Sequence, residues 1–256
     1  MPNRLDTFMG VFAAVLMAAF LVRAEATPDQ LFHRANEAYD RGDFAQALAG
    51  YQELLNQGHV SAEVLFNTAN AHFRSGAIGP AVLHYRRAWM LAPRDADVLA
   101  NLQLAQQRTG AYLPPVTMLD RAGQEFSRRE WRLALSASYW ILIALGAVAV
   151  VTPAYRRFLK PVLLGAGAVL LVTGAGWWWW RSWEQRGEAV VLTGNQTALY
   201  EPREGATPFF SVPEGSIVHF EDTFDAWVKV RAGQQAGWLP KSGVDRVYSW
   251  ILPPNP

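Results

Sequence analysis

The sequence predicts a multidomain membrane protein in three parts: an all-α helical-repeat module, a two-helix transmembrane hairpin and a small all-β barrel. Three observations predict it. Residues 133–180 hold two uncharged apolar runs, residues 28–110 match themselves at a spacing of 34, and the chain after Gly187 turns to short alternating segments punctuated by glycine and proline.

The hairpin organises the chain. Spans 133–151 and 162–180 each have 19 residues and no charge. At about 1.5 Å per residue each makes a helix of roughly 28 Å, close to the ~30 Å hydrocarbon thickness of a bilayer. A buried helix in a soluble protein seldom runs so far without a charge. The break at 152–160 contains Pro153, Arg156, Arg157 and Lys160 and reads as a tight turn between antiparallel helices. Two spans leave the segments before and after them on the same side of the membrane. Trp131 begins the first span, and Trp177 to Trp180 with Trp183 end the second, so they meet at one interface as an aromatic belt. Gly165, Gly167, Gly174 and Gly176 in the second span imply close helix packing, although no Gly-x-x-x-Gly occurs. Neither span carries an ionisable residue, which argues against a transporter or a proton path.

Residues 1–26 have the layout of a signal peptide: Arg4 in a short polar start, an uncharged stretch at 9–22, then Ala24 and Ala26 framing Glu25. An uncleaved signal anchor is the alternative. Either way the chain from residue 27 emerges outside, which puts the basic turn inside, as the positive-inside rule asks. Arg121, Arg128, Arg129 and Arg132 make the outer flank basic as well, and the export signal is taken to decide. The localisation implied is the inner membrane, with both other modules on the periplasmic side.

Composition excludes several classes. The chain has 256 residues, a net charge of +1 and no cysteine. No strong field points to nucleic acid, and disulfides and thiolate metal sites are ruled out.

In the module 27–110, Ala35, Gly42, Asp43, Ala47, Tyr51 and Leu54 align with Ala69, Gly76, Ala77, Ala81, Tyr85 and Ala88, each pair 34 residues apart. Small residues mark where helices cross, the glycines mark the turns and Pro93 marks a stop. This pattern resembles the tetratricopeptide (TPR) repeat. A third copy begins at Asp95 and ends at Gly110 as a single capping helix. The resemblance implies that first-helix side chains line a concave face. Here those are Phe32, Asn36 and Tyr39, then Phe66, Asn67, Asn70 and Phe73, then Asn101. Asn36 and Asn70 are 34 apart, as are Asn67 and Asn101. An amide offers both a donor and an acceptor to an extended peptide, so Asn36, Tyr39, Asn67, Asn70, Phe73 and Asn101 are the candidate partner groove. Local bonding of these asparagines within the stack is the competing reading. Phe32 stands where the carboxylate-binding variety of the family needs a basic residue.

Residues 111–132 read as a linker stiffened by Pro114 and Pro115, followed by a charged juxtamembrane helix over 120–132. Residues 187–250 hold candidate strands at 189–193, 197–200, 209–212, 216–221, 227–231 and 236–240. Ala198-Leu199-Tyr200, Glu214-Gly215, Trp227-Val228-Lys229-Val230, Gly237-Trp238-Leu239-Pro240 and Val244 follow in an order that resembles the bacterial SH3-like domain. The resemblance implies a shallow groove for peptides or wall fragments, and Tyr200, Trp227 and Trp238 match its aromatic positions. Packing of the same residues in the barrel core and rim is the competing reading.

No catalytic motif is present. There is no phosphate loop with a lysine, no His-Glu-x-x-His and no Gly-x-Ser-x-Gly. His72 and His84 flank the turn of the second repeat closely enough for their side chains to meet, but two histidines without a third ligand fit polar faces better than a metal. The sequence therefore implies no enzyme, no cofactor and no metal. The order of modules resembles the BatE family of the aerotolerance operons. That resemblance implies a membrane-anchored scaffold or adaptor working with MoxR-type ATPases and von Willebrand A-type membrane proteins in stress or oxygen tolerance. A cell-wall sensor that binds peptidoglycan through the SH3-like domain is the alternative.

Overall fold

A computed structural model describes residues 27–112, 117–185 and 187–248. The expected export segment 1–26, Pro114 and Pro115, the side chain of Trp183 and the tail from Ser249 lie outside the described residues. The rest is a mixed protein of helices followed by one antiparallel sheet.

Five helices come first: α1 (Pro28–Asp40), α2 (Phe44–Asn56), α3 (Ala62–Arg74), α4 (Ile78–Leu91) and α5 (Ala96–Thr109). The spacing of 34 is visible in their ends. Thr27, Ser61 and Asp95 accept hydrogen bonds from backbone N–H groups as N-caps of α1, α3 and α5. Gly42, Gly76 and Gly110 follow the same helices with φ of 79°, 86° and 64°, a conformation that costs glycine no Cβ clash. Ala35, Ala38, Ala47, Tyr51 and Leu54 form the buried core of the first pair. The second pair has a larger core, and α4 is buried at every position from Ala81 to Met90.

α6 (Met118–Gln124) and α7 (Arg128–Val151) are separate helices, where the sequence reads as one juxtamembrane helix. Ser127 accounts for the break: it begins α7 with a capping box to Glu130. A 3-10 turn at Pro153–Tyr155 then leads to α8 (Arg156–Gln185), so the expected break at 152–160 is much shorter and the basic residues open α8. The Arg156 side chain donates to the carbonyl of Ala149 at 2.9 Å, which satisfies an orphan acceptor at the end of α7.

α7 and α8 are long and apolar enough to cross a membrane. Leu133, Trp140, Ile141, Val150, Leu164, Leu171 and Val172 are exposed on their outer surfaces. Between them the Ser138 and Thr173 hydroxyls share a buried hydrogen bond of 3.0 Å. Gly176 lies under the Trp131 ring and Gly174 faces Leu135, so these two glycines do serve helix packing. Gly165 and Gly167 do not, since a side chain added to either would meet open space.

The sheet has seven strands: β1 (Glu188–Val191), β2 (Gln196–Leu199), β3 (Pro208–Val212), β4 (Ile217–Phe224), β5 (Trp227–Ala232), β6 (Gln235–Pro240) and β7 (Val244–Arg246). Their hydrogen-bonded order is β3-β2-β6-β5-β4-β1-β7, open rather than the closed barrel the sequence suggests, with β3 and β7 at its edges. Alternation sends Ala198, Val212, Val228, Val230 and Leu239 to one buried face. β1 is buried at every position, which requires a second partner on its other face. That partner is α4: Val190, Ile217, Val247 and Tyr248 share a core with Val82, Tyr85 and Trp89.

Candidate functional site

Three surfaces bear on function, beginning with the inner face of the repeats. Asn36 Oδ1 accepts the Tyr51 hydroxyl at 2.6 Å and the Asn67 amide at 3.1 Å. Asn70 Oδ1 accepts the Tyr85 hydroxyl at 2.6 Å. Burial pushes the Tyr51 hydroxyl up to about 12 and raises Tyr85 in the same direction, so both stay protonated donors. The Asn101 amide instead donates to the Asp97 carbonyl of its own helix at 2.8 Å. The structure thus brings Asn36 and Asn67 together, holds Asn70 by the matching bond one repeat later and turns Asn101 to a local acceptor. Tyr39 packs edge-on to Phe44 at 5.5 Å, and Phe73 lies 4.4 Å beneath the Arg108 guanidinium.

The outer face of the sheet is the second surface. In β5 and β6, Trp227 pairs with Pro240 and Lys229 with Trp238, so both tryptophans project from the face opposite Val228 and Leu239. Phe224, 59% exposed, sits edge-on to Trp238 at 6.5 Å. Trp227, Pro240, Ala226, Lys241, Ser242 and Glu204 line a shallow pocket of about 460 Å³. Tyr200 is not among its walls and stacks on Phe209 at 4.2 Å. The three aromatic candidates therefore divide: Trp227 in the pocket, Trp238 beside Phe224 and Tyr200 with Phe209.

No protein-family model matches this chain, and no curated protein matches it.

The third surface, the contact between α4 and the sheet, was not anticipated in the sequence. Arg86 donates from Nε and Nη2 to the two oxygens of Glu188, both at 3.0 Å, and both residues are buried. This is a bidentate pair, the geometry best able to offset the cost of burying two charges. Arg86 also lies 4.3 Å over the Trp89 ring. Arg87 donates to Asp245 at 2.9 Å and to the carbonyls of Val247 at 3.1 Å and Arg246 at 2.8 Å. Burial lowers its pKa and Asp245 opposes the shift. At the N-terminus of α4, Ala77 has no polar side chain to cap with, and Glu214 of the turn between β3 and β4 accepts the Gly79 N–H at 2.6 Å instead. A side chain at Gly79 would run into the Leu192 backbone, so glycine permits the approach. Tyr112 bonds Ser216 and Ile217 through its backbone, which pins the start of the expected linker to β4.

The tryptophans at the end of α8 also depart from expectation. Trp180 is 1% exposed, belongs to the α4 core and donates its indole N–H to the carbonyls of Gly123 and Phe126. Trp178 is 67% exposed. One side of this cluster is therefore packed into the protein rather than ringing the helix as a belt.

The His72 and His84 rings stack at 5.5 Å, nearly parallel. Burial, with the neighbouring Arg87 charge adding to it, pushes His84 down to about 3. Parallel stacking does not converge the ring nitrogens on a common ion. Among the described residues no group of three or more His, Asp or Glu is placed to hold a metal.

Proposed function

We propose that this chain is a membrane-anchored scaffold for protein–protein interaction in a bacterial envelope complex. The observation that carries the reading is the pairing of an uncovered inner repeat face with two helices fit to cross a bilayer. The sheet packs on α4, and α1 and α3 keep Asn36, Tyr39, Asn67, Asn70 and Phe73 half-buried at the inner surface. The Asn36 and Asn70 oxygens are committed to tyrosine hydroxyls, which holds these two amides in one orientation and presents their NH2 groups to an incoming carbonyl.

In this reading the helices are two tetratricopeptide repeats with a capping helix, and the sheet is SH3-like. The hairpin holds both on the periplasmic side of the inner membrane. The chain contributes docking rather than catalysis. Its partners, by the resemblance to the BatE family, are MoxR-type ATPases and von Willebrand A-type membrane proteins. Crosslinking in intact membranes tests this. F73A and Y39A, which remove groove contacts and leave the Asn–Tyr bonds in place, should remove specific crosslinked partners, and an unchanged crosslink profile would overturn the groove.

The Trp227 pocket favours a second reading, in which the sheet binds peptidoglycan. An aromatic wall suits a sugar ring or proline with little loss of entropy. Sedimentation with purified wall material, lost in W227A and kept in Y200A, would support it. Equal sedimentation of all three proteins would sink it.

A further inference from the structure

We infer that the domain-side edge of the helix pair is a binding surface for anionic phospholipid headgroups, built from Arg129, Arg132 and Arg181. The inference rests on the reading that α7 and α8 cross a membrane.

The register of the two helices puts the three arginines within about two turns of one another at the domain end of the pair. Ser138 bonds Thr173, and Trp131 rests on Gly176 nearer the domains. Arg132 follows Trp131 and so lies near the level of Gly176, while Arg129 of α7 and Arg181 of α8 both lie on the domain side of that contact. Arg129 and Arg132 are three residues apart, so they share a face of α7. All three are exposed. Arg181 lies 5.9 Å over the Trp177 ring, and exposed Trp178 stands beside it. Tryptophan marks the headgroup level of a bilayer, so the guanidiniums fall where lipid phosphates lie.

The charges are available. Among the described residues, none of the three forms an ion pair. Glu130, the acid nearest Arg129 and Arg132 in sequence, is engaged elsewhere: it accepts from Ser127 and pairs with Arg94, and the Ser127 bonds hold its carboxyl below the usual range. The opposite end of the hairpin differs, because Arg156 is spent on capping α7 and leaves Arg157 and Lys160. A guanidinium also presents a planar fork that matches phosphate oxygens two at a time.

The test uses the full chain in lipid nanodiscs of phosphatidylcholine alone or mixed with phosphatidylglycerol, with bound lipid read by native mass spectrometry. Phosphatidylglycerol should be retained selectively, and R129Q/R132Q and R181Q should each lower retention by about threefold or more. R157Q/K160Q, which removes the same charge as the double variant, should lower it much less. Equal losses from both ends would overturn the site in favour of general attraction to net charge. Thermal stabilisation by inorganic phosphate in phosphatidylcholine discs, matching that from phosphatidylglycerol, would overturn the lipid assignment in favour of a free-phosphate site. A chain that stays out of the discs and in solution without detergent defeats the membrane reading itself. Insertion without lipid preference defeats only this inference.

Discussion

α2 and α4 are the second helices of two copies of one repeat, and they have come to serve different ends. Their inward residues correspond: Ala47, Tyr51 and Leu54 in one, Ala81, Tyr85 and Ala88 in the other, all buried. Their outward residues do not. Gln52 and Glu53 of α2 are exposed, whereas Arg86 and Arg87 of α4 are buried against Glu188 and Asp245. Asp43 caps α2 from its own chain segment, whereas Ala77 leaves the matching task to Glu214. Ala45 is exposed, and its counterpart Gly79 touches Leu192. One helix is finished by water and the other by a sheet more than 100 residues away. A repeat can therefore keep its fold through its inner face while its outer face is rebuilt as a docking surface.

The most damaging way to break the contrast is to remove one partner of the buried ion pair. E188A or R86A leaves an uncompensated buried charge and should cost about 3–5 kcal/mol, read as a fall in melting temperature and lost hydrogen-exchange protection in α4 and β1. Q52A, the same position one repeat earlier, should stay within about 0.5 kcal/mol of wild type. Similar effects at the two sites would mean that the docking contact is not formed in solution.

G79A is next. A methyl group against the Leu192 backbone should cost about 1–3 kcal/mol and loosen β1 and the loop after it, visible as faster exchange at 188–192. G42A, at a turn with φ of 79°, should disturb only its own turn.

The histidines add a pH dependence peculiar to the second repeat, because His84 stands where the first has Gly50. The folded pKa of His84 is depressed from 6.5 to about 3, so the unfolded chain takes up a proton that the folded chain refuses. Stability is full above the unfolded value and falls as pH drops from 6.5 toward 3, by up to about 1.4 kcal/mol per pH unit. His72, also lowered by burial, adds in the same direction. H84L should flatten most of this slope in denaturant melts taken across that range, and an unchanged slope would assign it to other groups.

The smallest expected effects are the caps. D43A and E214A should each cost about 1 kcal/mol of helix stability. Exchange measurements should place the first loss at the start of α2 and the second at the start of α4, although the two mutated residues lie in different parts of the chain.

Much of this architecture is legible locally. The spacing of 34 marks α1 to α5, because each copy must make the same core with its own residues. Apolar run length marks α7 and α8, and alternation marks six of the seven strands. β7 was missed because three residues, Val244–Arg246, are too short to show a period. The joint between α4 and the sheet leaves no periodic trace, since Arg86 and Glu188 are 102 positions apart. Its signal lay in departures from the repeat itself: two arginines on a face that is Gln-Glu in the first copy, a glycine for Ala45 and an alanine for a capping Asp43. In the candidate groove, residue type was readable and hydrogen-bond direction was not. Only the structure turns the Asn36 and Asn70 oxygens toward tyrosine and Asn101 toward Asp97.

Trp180 changes what an anchor does here. Its indole is wedged among Gly123, Phe126 and the α4 core, so the last turns of α8 meet the soluble body as a rigid peg rather than a tether. A tether lets its cargo tumble. In the proposed membrane reading, a peg passes on every tilt or rotation of the hairpin, so bilayer thickness and lateral neighbours would steer which way the repeat face points.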